Sequence, residues 1–416
     1  MSEQTPISSW PRFIVSAYGP TLLSTIGYGA VTPLVALSAL DLGASVALAA
    51  FITALTGIGQ IIGDMPASWV ATKFGEKKAI ILACFWDTLW LSIAFVATWQ
   101  KSLPLLMVAV FAFGFSGAVF GLARQTYITE VMPAKLRARA LSSLGGTFRI
   151  GGFIGPLIGS AVISVWNLQA AYGFAAITSL LAAAVTMLLP DLPQSVQTRR
   201  SGTAQQARLF PVLKAHLRTF ATLGVGVLFV GLVRAVRQSV LPLWCESLGM
   251  NAAHTSLIYS LSMGIDMSLF FFGGFIMDRF GRMWVAMPSM IVLGLGLAGL
   301  VLAHSVWAVM VVAIILGLGN GIGSGIIMTL GSDASPEVGR TQFLSGWRLF
   351  GDSGNAIGPV LLSGITAIAS LGIATVALGI FSFFGAGWLA YWIKHTPSGR
   401  TAEQPAVEDT TPADPA

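Results

Sequence analysis

Apolar runs of about 20 residues or more, each long enough to cross a bilayer as a helix, recur twelve times along the chain with short polar breaks between them. The first six cover residues 12–38, 45–71, 79–99, 103–129, 138–165 and 168–190. The second six cover 217–245, 252–277, 283–303, 305–332, 339–368 and 370–394. This pattern predicts an all-α membrane protein of twelve transmembrane helices. A polar stretch, 191–216, divides it into an N-terminal six-helix bundle (12–190) and a C-terminal one (217–395). Residues 1–11 precede the first run, which is too long for a signal peptide and has no small-residue cleavage site, so it is expected to remain as a helix. The tail 396–416 carries Pro397, Pro405, Pro412 and Pro415 among polar residues. Its apolar content is too low to fold, and it is expected to be disordered.

Composition agrees: 55% of the residues are hydrophobic and only 10% charged, against about 25% charged in a soluble domain. Seventeen of the 23 Lys and Arg fall in loops on one side of the spans, only Lys101 falls on the other, and five arginines lie within spans. Basic loops stay in the cytoplasm, which predicts cytoplasmic termini and an inner (plasma) membrane location. The basic residues are dispersed rather than gathered on one face, which argues against nucleic acid. Cys84 and Cys245, far apart in different runs, suggest neither a disulfide framework nor a zinc site.

The two sets of runs repeat each other. At an offset of 203 residues, Glu130-Val-Met-Pro133 answers Asp333-Ala-Ser-Pro336, Arg137 answers Arg340, and Gly155-Pro156 answers Gly358-Pro359. At 206, Lys73-Phe74-Gly75 answers Arg279-Phe280-Gly281. Two related six-span bundles around a central site are the form of a secondary transporter.

On these residues the chain resembles the major facilitator superfamily over nearly its whole length. Gly274-Phe-Ile-Met-Asp278-Arg279-Phe280-Gly281-Arg282 fits the superfamily's loop signature between the second and third helix of a half. The N-terminal copy keeps Lys73 and Gly75 but has Thr72 where the acid should stand. In the superfamily that acid braces the loop against the eleventh helix, a role that Asp64, two turns earlier, is a candidate to have taken. The segment from Ser142 through Gly151 to Gly155-Pro156-Leu-Ile-Gly159 is similar to the glycine-rich signature of drug:proton antiporters. It favours export, although helix packing explains the same residues. The resemblance also implies a cavity lined by the first, fourth, seventh and tenth spans. The candidates there are Tyr18, Thr21, Thr25 and Tyr28; Phe113, Ser116 and Phe120; Arg234, Arg237 and Gln238; and Asn320 and Ser324.

Charges within the spans are the other candidates, since each costs roughly 2.5–3.5 kcal/mol at a helix centre on insertion scales. Asp266 and Asp352, the deepest acids, and then Asp64 are proton-coupling candidates. Asp87 is expected to form a structural pair with Arg124. Arg234 and Arg237, three residues apart on one helix face, are candidates to attract an anion or to line a wet outer cavity. The resemblance implies that the second span packs near the eleventh and the fifth near the eighth. At about 1.5 Å per residue, Asp64 is then level with Arg348, and Asp266 with Arg149. These pairs are expected to bridge the halves as a gate when the cytoplasmic side is closed, the alternative being pairing within one half, such as Arg348 with Asp352.

No clustered enzyme site appears. Gly294-Leu-Gly296-Leu-Ala-Gly299 lies in an apolar run with no strand before it, unlike a dinucleotide fingerprint. There is no phosphate-binding lysine loop, the four histidines are scattered, and no cofactor or metal is expected. The reading is a transporter, expected to act as a monomer, that exports amphipathic organic compounds in exchange for protons by alternating access. A carrier of an anionic metabolite using Arg234 and Arg237, and a non-transporting receptor or scaffold of this fold, are the alternatives.

Overall fold

In the computed structural model the described residues, 10–132, 136–189, 213–336 and 340–395, are helical almost throughout. The second to sixth spans are Val46–Phe74, Glu76–Trp99, Leu103–Val131, Arg137–Val165 and Leu168–Met187. The eighth, ninth, eleventh and twelfth are Ala252–Phe280, Met283–Gly299, Arg340–Ile368 and Leu371–His395. Among the described residues, eleven helices are long and apolar enough to cross a membrane. The twelfth long helix, Arg340–Ile368, carries Arg348 and Asp352, and packs against both the second and the seventh spans. The expected linker 191–216 lies outside the described residues except for 213–216, as do the tail 396–416 and all but two residues of the segment 1–11.

Four spans are not the single regular helices that their apolar runs predict, the ninth only in closing with a 3-10 turn, Leu300–Leu302. The first is broken into Trp10–Val31 and Leu34–Asp41 at Pro33, which has no N–H to offer the preceding turn. The tenth is broken into Val306–Ile322 and Ile326–Ala334, and Gly325 at the break has a φ of 81° that only glycine adopts without strain. The seventh passes from Leu217–Thr219 through a π-helical turn, Phe220–Gly224, into Val225–Ser247.

Local chemistry sets the helix starts. Ser45, Asn167, Asn251 and Ser305 each accept a hydrogen bond from the backbone N–H three residues on, satisfying a donor that the first turn leaves free. All four caps lie on the face that also carries Lys101. The loops around Gly75 and Gly281 lie on the other, basic face.

Within each half the same pairs of helices meet, the first on the fifth and the seventh on the eleventh. At these crossings a side chain on Gly155 would strike the backbone of Ile26 and Ala30, and one on Gly358 the backbone of Leu232. The glycine-rich signature is therefore occupied by helix contact, and its repeat in the eleventh span does the same in the other half. Between the halves the second span packs on the eleventh and the fifth on the eighth. Outward-facing side chains such as Phe271, Trp307, Met328 and Ile368 are exposed, as a lipid-facing surface requires.

Candidate functional site

The seam of the second and eleventh spans holds two acids and one base. Arg348 and Asp352, four residues apart, share a helix face, and the Arg348 Nε lies 3.3 Å from Asp352 Oδ2. The Nη2 of the same guanidinium lies 3.3 Å from Asp64 Oδ1 on the other half. Both expected partners of Arg348 are thus present at once. The group is not sealed, since the Arg348 side chain is 35% exposed. Thr72 makes no brace and turns its hydroxyl to the Ser68 carbonyl, so Asp64 supplies the acid that meets the eleventh helix.

In the C-terminal loop the brace differs again. Asp278 is exposed, while Arg282 Nε lies 2.7 Å from Asp333 Oδ2 at the end of the tenth span. That hydrogen bond pushes the Arg282 pKa above its ordinary value, so the loop is pinned by a permanent charge. Arg279 lies over the Phe280 ring, and Lys73 lies over the Trp69 ring at 4.6 Å.

The other seam centres on Asp266. Its Oδ1 accepts from Arg149 Nη1 across the halves at 2.6 Å, and its Oδ2 accepts from Asn320 Nδ2 at 2.6 Å. Arg237 Nη2 stands 3.7 Å from Oδ2. Arg237 is only 2% exposed, held by Ser262 on the eighth span, so it does not line an open outer cavity. Arg234 donates through Nη2 to the Gly323 carbonyl at 2.6 Å, a group that the break in the tenth span turns out of the helix.

Asp87 and Arg124 do not form the expected pair. Asp87 accepts a hydrogen bond from the Ser116 hydroxyl, and Arg124 Nε donates to Thr21 Oγ1 at 2.9 Å. Arg124 is fully buried with its Nη1 and Nη2 unpartnered. Each hydroxyl was nearer than the opposite charge.

A cavity of about 160 Å³ lies between the halves, lined by Tyr28, Val31, Thr32, Val35, Thr53, Thr56, Gln60 and Phe113 from one half and by Gln238, Ser239 and Asn355, among others, from the second. No lining residue is charged. Of the expected cavity residues only Tyr28, Phe113 and Gln238 are there. Tyr18 donates to the Ala140 carbonyl, Thr21, Thr25 and Ser116 are buried in the N-terminal bundle, Phe120 joins its core, and Asn320 and Ser324 bond within the C-terminal one. Second- and eleventh-span residues were missed as lining, although Gln60 and Asn355 are among the few amides within the apolar runs.

Further hydrogen bonds join the halves on the face opposite the basic loops: Thr53 to Ser239 at 2.9 Å, Ser363 to the Ala47 carbonyl at 2.7 Å, and Ser160 to the Ala253 carbonyl at 2.9 Å. These hydrogen bonds and the two acid–arginine bridges run from the depth of Asp64 and Asp266 to that opposite face. Both acid–arginine bridges are therefore formed in a molecule closed opposite its basic loops. The two bridges expected between the halves, Asp64 with Arg348 and Asp266 with Arg149, are both present.

A family model described as the Major Facilitator Superfamily matches residues 21–270 and, again, 223–415. The enterobactin exporter EntS of Salmonella choleraesuis (strain SC-B67) is 27% identical over 348 residues, covering 80% of this chain and 79% of the exporter. EntS of Escherichia coli O127:H6 is 26% identical over 331 residues, covering 76% of each. The crystal structure of a D-xylose-proton symporter superposes with a TM-score of 0.70 at 15% identity, covering 93% of this chain and 98% of that one.

Proposed function

The chain belongs to the major facilitator superfamily, whose members are transporters and not enzymes, and from that premise we propose that it exports amphipathic organic compounds in exchange for protons by alternating access. The similarity to exporters over about four-fifths of both chains supports the direction. The cavity supports the kind of cargo. Tyr28 and Phe113 stack at 5.4 Å beside hydroxyls and amides from both halves, a lining that suits an aromatic body with a few hydrogen-bonding groups.

Orientation follows from the loops: with the basic face in the cytoplasm, both termini are cytoplasmic, the protein resides in the plasma membrane, and this conformation is the inward-facing one. Cargo then loads from the cytoplasm and leaves when the opposite seam opens.

Proton coupling is carried by one observation, the placing of Arg348 between two carboxylates. One guanidinium balances one of them, and the surplus negative charge at mid-membrane is what a proton neutralises. Asp266 is the lesser candidate of the three acids, because it already has two cations and an amide donor around it. Protonating the Asp64 and Asp352 pair loosens the grip on Arg348 and with it the seam. In proteoliposomes, a double Asp64→Asn, Asp352→Asn variant is expected to lose accumulation of amphipathic dyes driven by a pH gradient, while downhill counterflow of the same dyes survives. Undiminished gradient-driven accumulation in that variant would remove the pair from the coupling mechanism.

A further inference from the structure

The charges around Asp266 do not balance. Arg149, Arg237 and Arg234 surround it: the first two stand 2.6 and 3.7 Å from its oxygens, and Arg234 has Arg149, Asp266 and Arg237 as its charged neighbours. Two guanidinium groups thus stand at a single carboxylate, and a third, that of Arg234, belongs to the same charged group. The surplus has no other acid near it among the described residues; the acids of the second and eleventh spans are engaged with Arg348.

Orphaned polar atoms mark the same place. The Nε of Arg234 and of Arg237 are buried without a partner, as is Asn320 Oδ1, although Arg237 and Asn320 are each more than nine-tenths buried. The cluster also has a way in, because the Arg149 side chain is 19% exposed. It draws on both halves, with Arg149 from the fifth span and the rest from the seventh, eighth and tenth.

We propose that this cluster is an anion subsite and that the cargo carries an acidic group, a carboxylate, phosphate or sulfonate, which binds Arg149 and Arg234 in competition with Asp266. Asp266 is the internal stand-in for that group. Because Asp266 and Arg149 sit on opposite halves, an anion that takes Arg149 also breaks a bridge between them, so that binding and rearrangement become one event. The proposal rests on the transporter reading and narrows its substrate class.

The test uses the purified full chain and matched probes, benzoate against benzamide and phenyl phosphate against phenol, with affinities from ligand-dependent thermal stability. At least one acid is expected to bind about tenfold tighter than its neutral partner. Arg234→Gln should erase that difference and Arg234→Lys should keep most of it. Asp266→Asn, which removes the competitor, should tighten acid binding severalfold and leave the amide and phenol unchanged. These opposite directions separate a subsite from a loss of folding. Equal binding within both pairs, no binding of either acid, or acid affinity indifferent to both Arg234→Gln and Asp266→Asn would overturn the subsite. Proteoliposome exchange of neutral amphipathic dyes, with no preference for acids in binding, would leave the transporter standing and the subsite refuted. Selective acid binding without exchange of any probe would uphold the subsite and refute transport.

Discussion

A charged side chain in the interior of this protein is tolerated according to what stands beside it, and the partners here are of unequal kinds. Asp266 has two guanidinium groups and an amide, whereas Asp87 has one hydroxyl, that of Ser116. Removing the sole partner of a buried polar group exposes its full desolvation penalty, about 1–3 kcal/mol. Ser116→Ala is therefore expected to lower the thermal stability of the purified protein by that order. Asp87→Asn should be milder, since a carboxamide oxygen accepts from the same hydroxyl, and should leave gradient-driven transport intact. A large loss of proton coupling in Asp87→Asn, with stability preserved, would show that Asp87 belongs to the coupling machinery after all. The levels of Asp64 with Arg348 and of Asp266 with Arg149 were readable from residue counts along rigid helices, because a rise per residue is nearly constant. The hydroxyl partners of Asp87 and Arg124 were not. They depend on rotation about the helix axis, which an apolar run on all sides does not disclose.

Several helices here begin at a capping Ser or Asn, and the second and eighth spans end at Gly75 and Gly281 with positive φ, signals local enough to be read in one dimension. Breaks within a span are harder to read. Pro33 and Gly323 to Gly325 interrupt the helix without interrupting the apolar run, so length and hydropathy pass over them. The consequence is functional, since the break at Gly323 presents the carbonyl that holds Arg234. Glycines are likewise unequal, and the same residue type marks a tight crossing in one place and open space in another. A Cβ on Gly155 would strike the first span, while one on Gly117 would meet nothing within 4 Å. Gly155→Ala is expected to destabilise by roughly 1–3 kcal/mol, the usual cost of overpacking. Gly117→Ala should be neutral or stabilising by up to about 1 kcal/mol through helix propensity. Melting temperatures of the two variants, measured side by side, decide it; equal shifts would mean that the first and fifth spans part more easily than their packing implies.

At the scale of the whole molecule the cavity candidates taken from a general plan fared worse than the charges, because which residues face a central space depends on the conformation. The second and eleventh spans line the cavity here with their outer halves joined by Ser363 and the Ala47 carbonyl, and Thr53 of the second span bonded to Ser239 of the seventh is a polar clasp of the same closed face. Alternating access requires this clasp to open once per cycle. Cysteines at both positions, with side-chain oxygens now 2.9 Å apart, are expected to form a disulfide readily, and the native Cys84 and Cys245 are both buried. The crosslinked protein should be arrested with its basic face open: transport falls to background and returns on reduction. A third cysteine at Ser143, exposed near the basic end of the fifth span, should then react with a membrane-impermeant maleimide in inside-out vesicles and not in intact cells. One beside Lys101 should react only in intact cells. The energetics make arrest a demanding outcome, since shifting a two-state balance from one side almost wholly to the other takes about 5.5 kcal/mol, which a covalent clasp supplies and a single hydrogen bond does not. Full transport by the crosslinked protein would mean that this seam stays shut throughout the cycle and that cargo leaves by another route. Reversed labelling at Ser143 and Lys101 would instead invert the orientation and turn the same closed seam toward the cytoplasm.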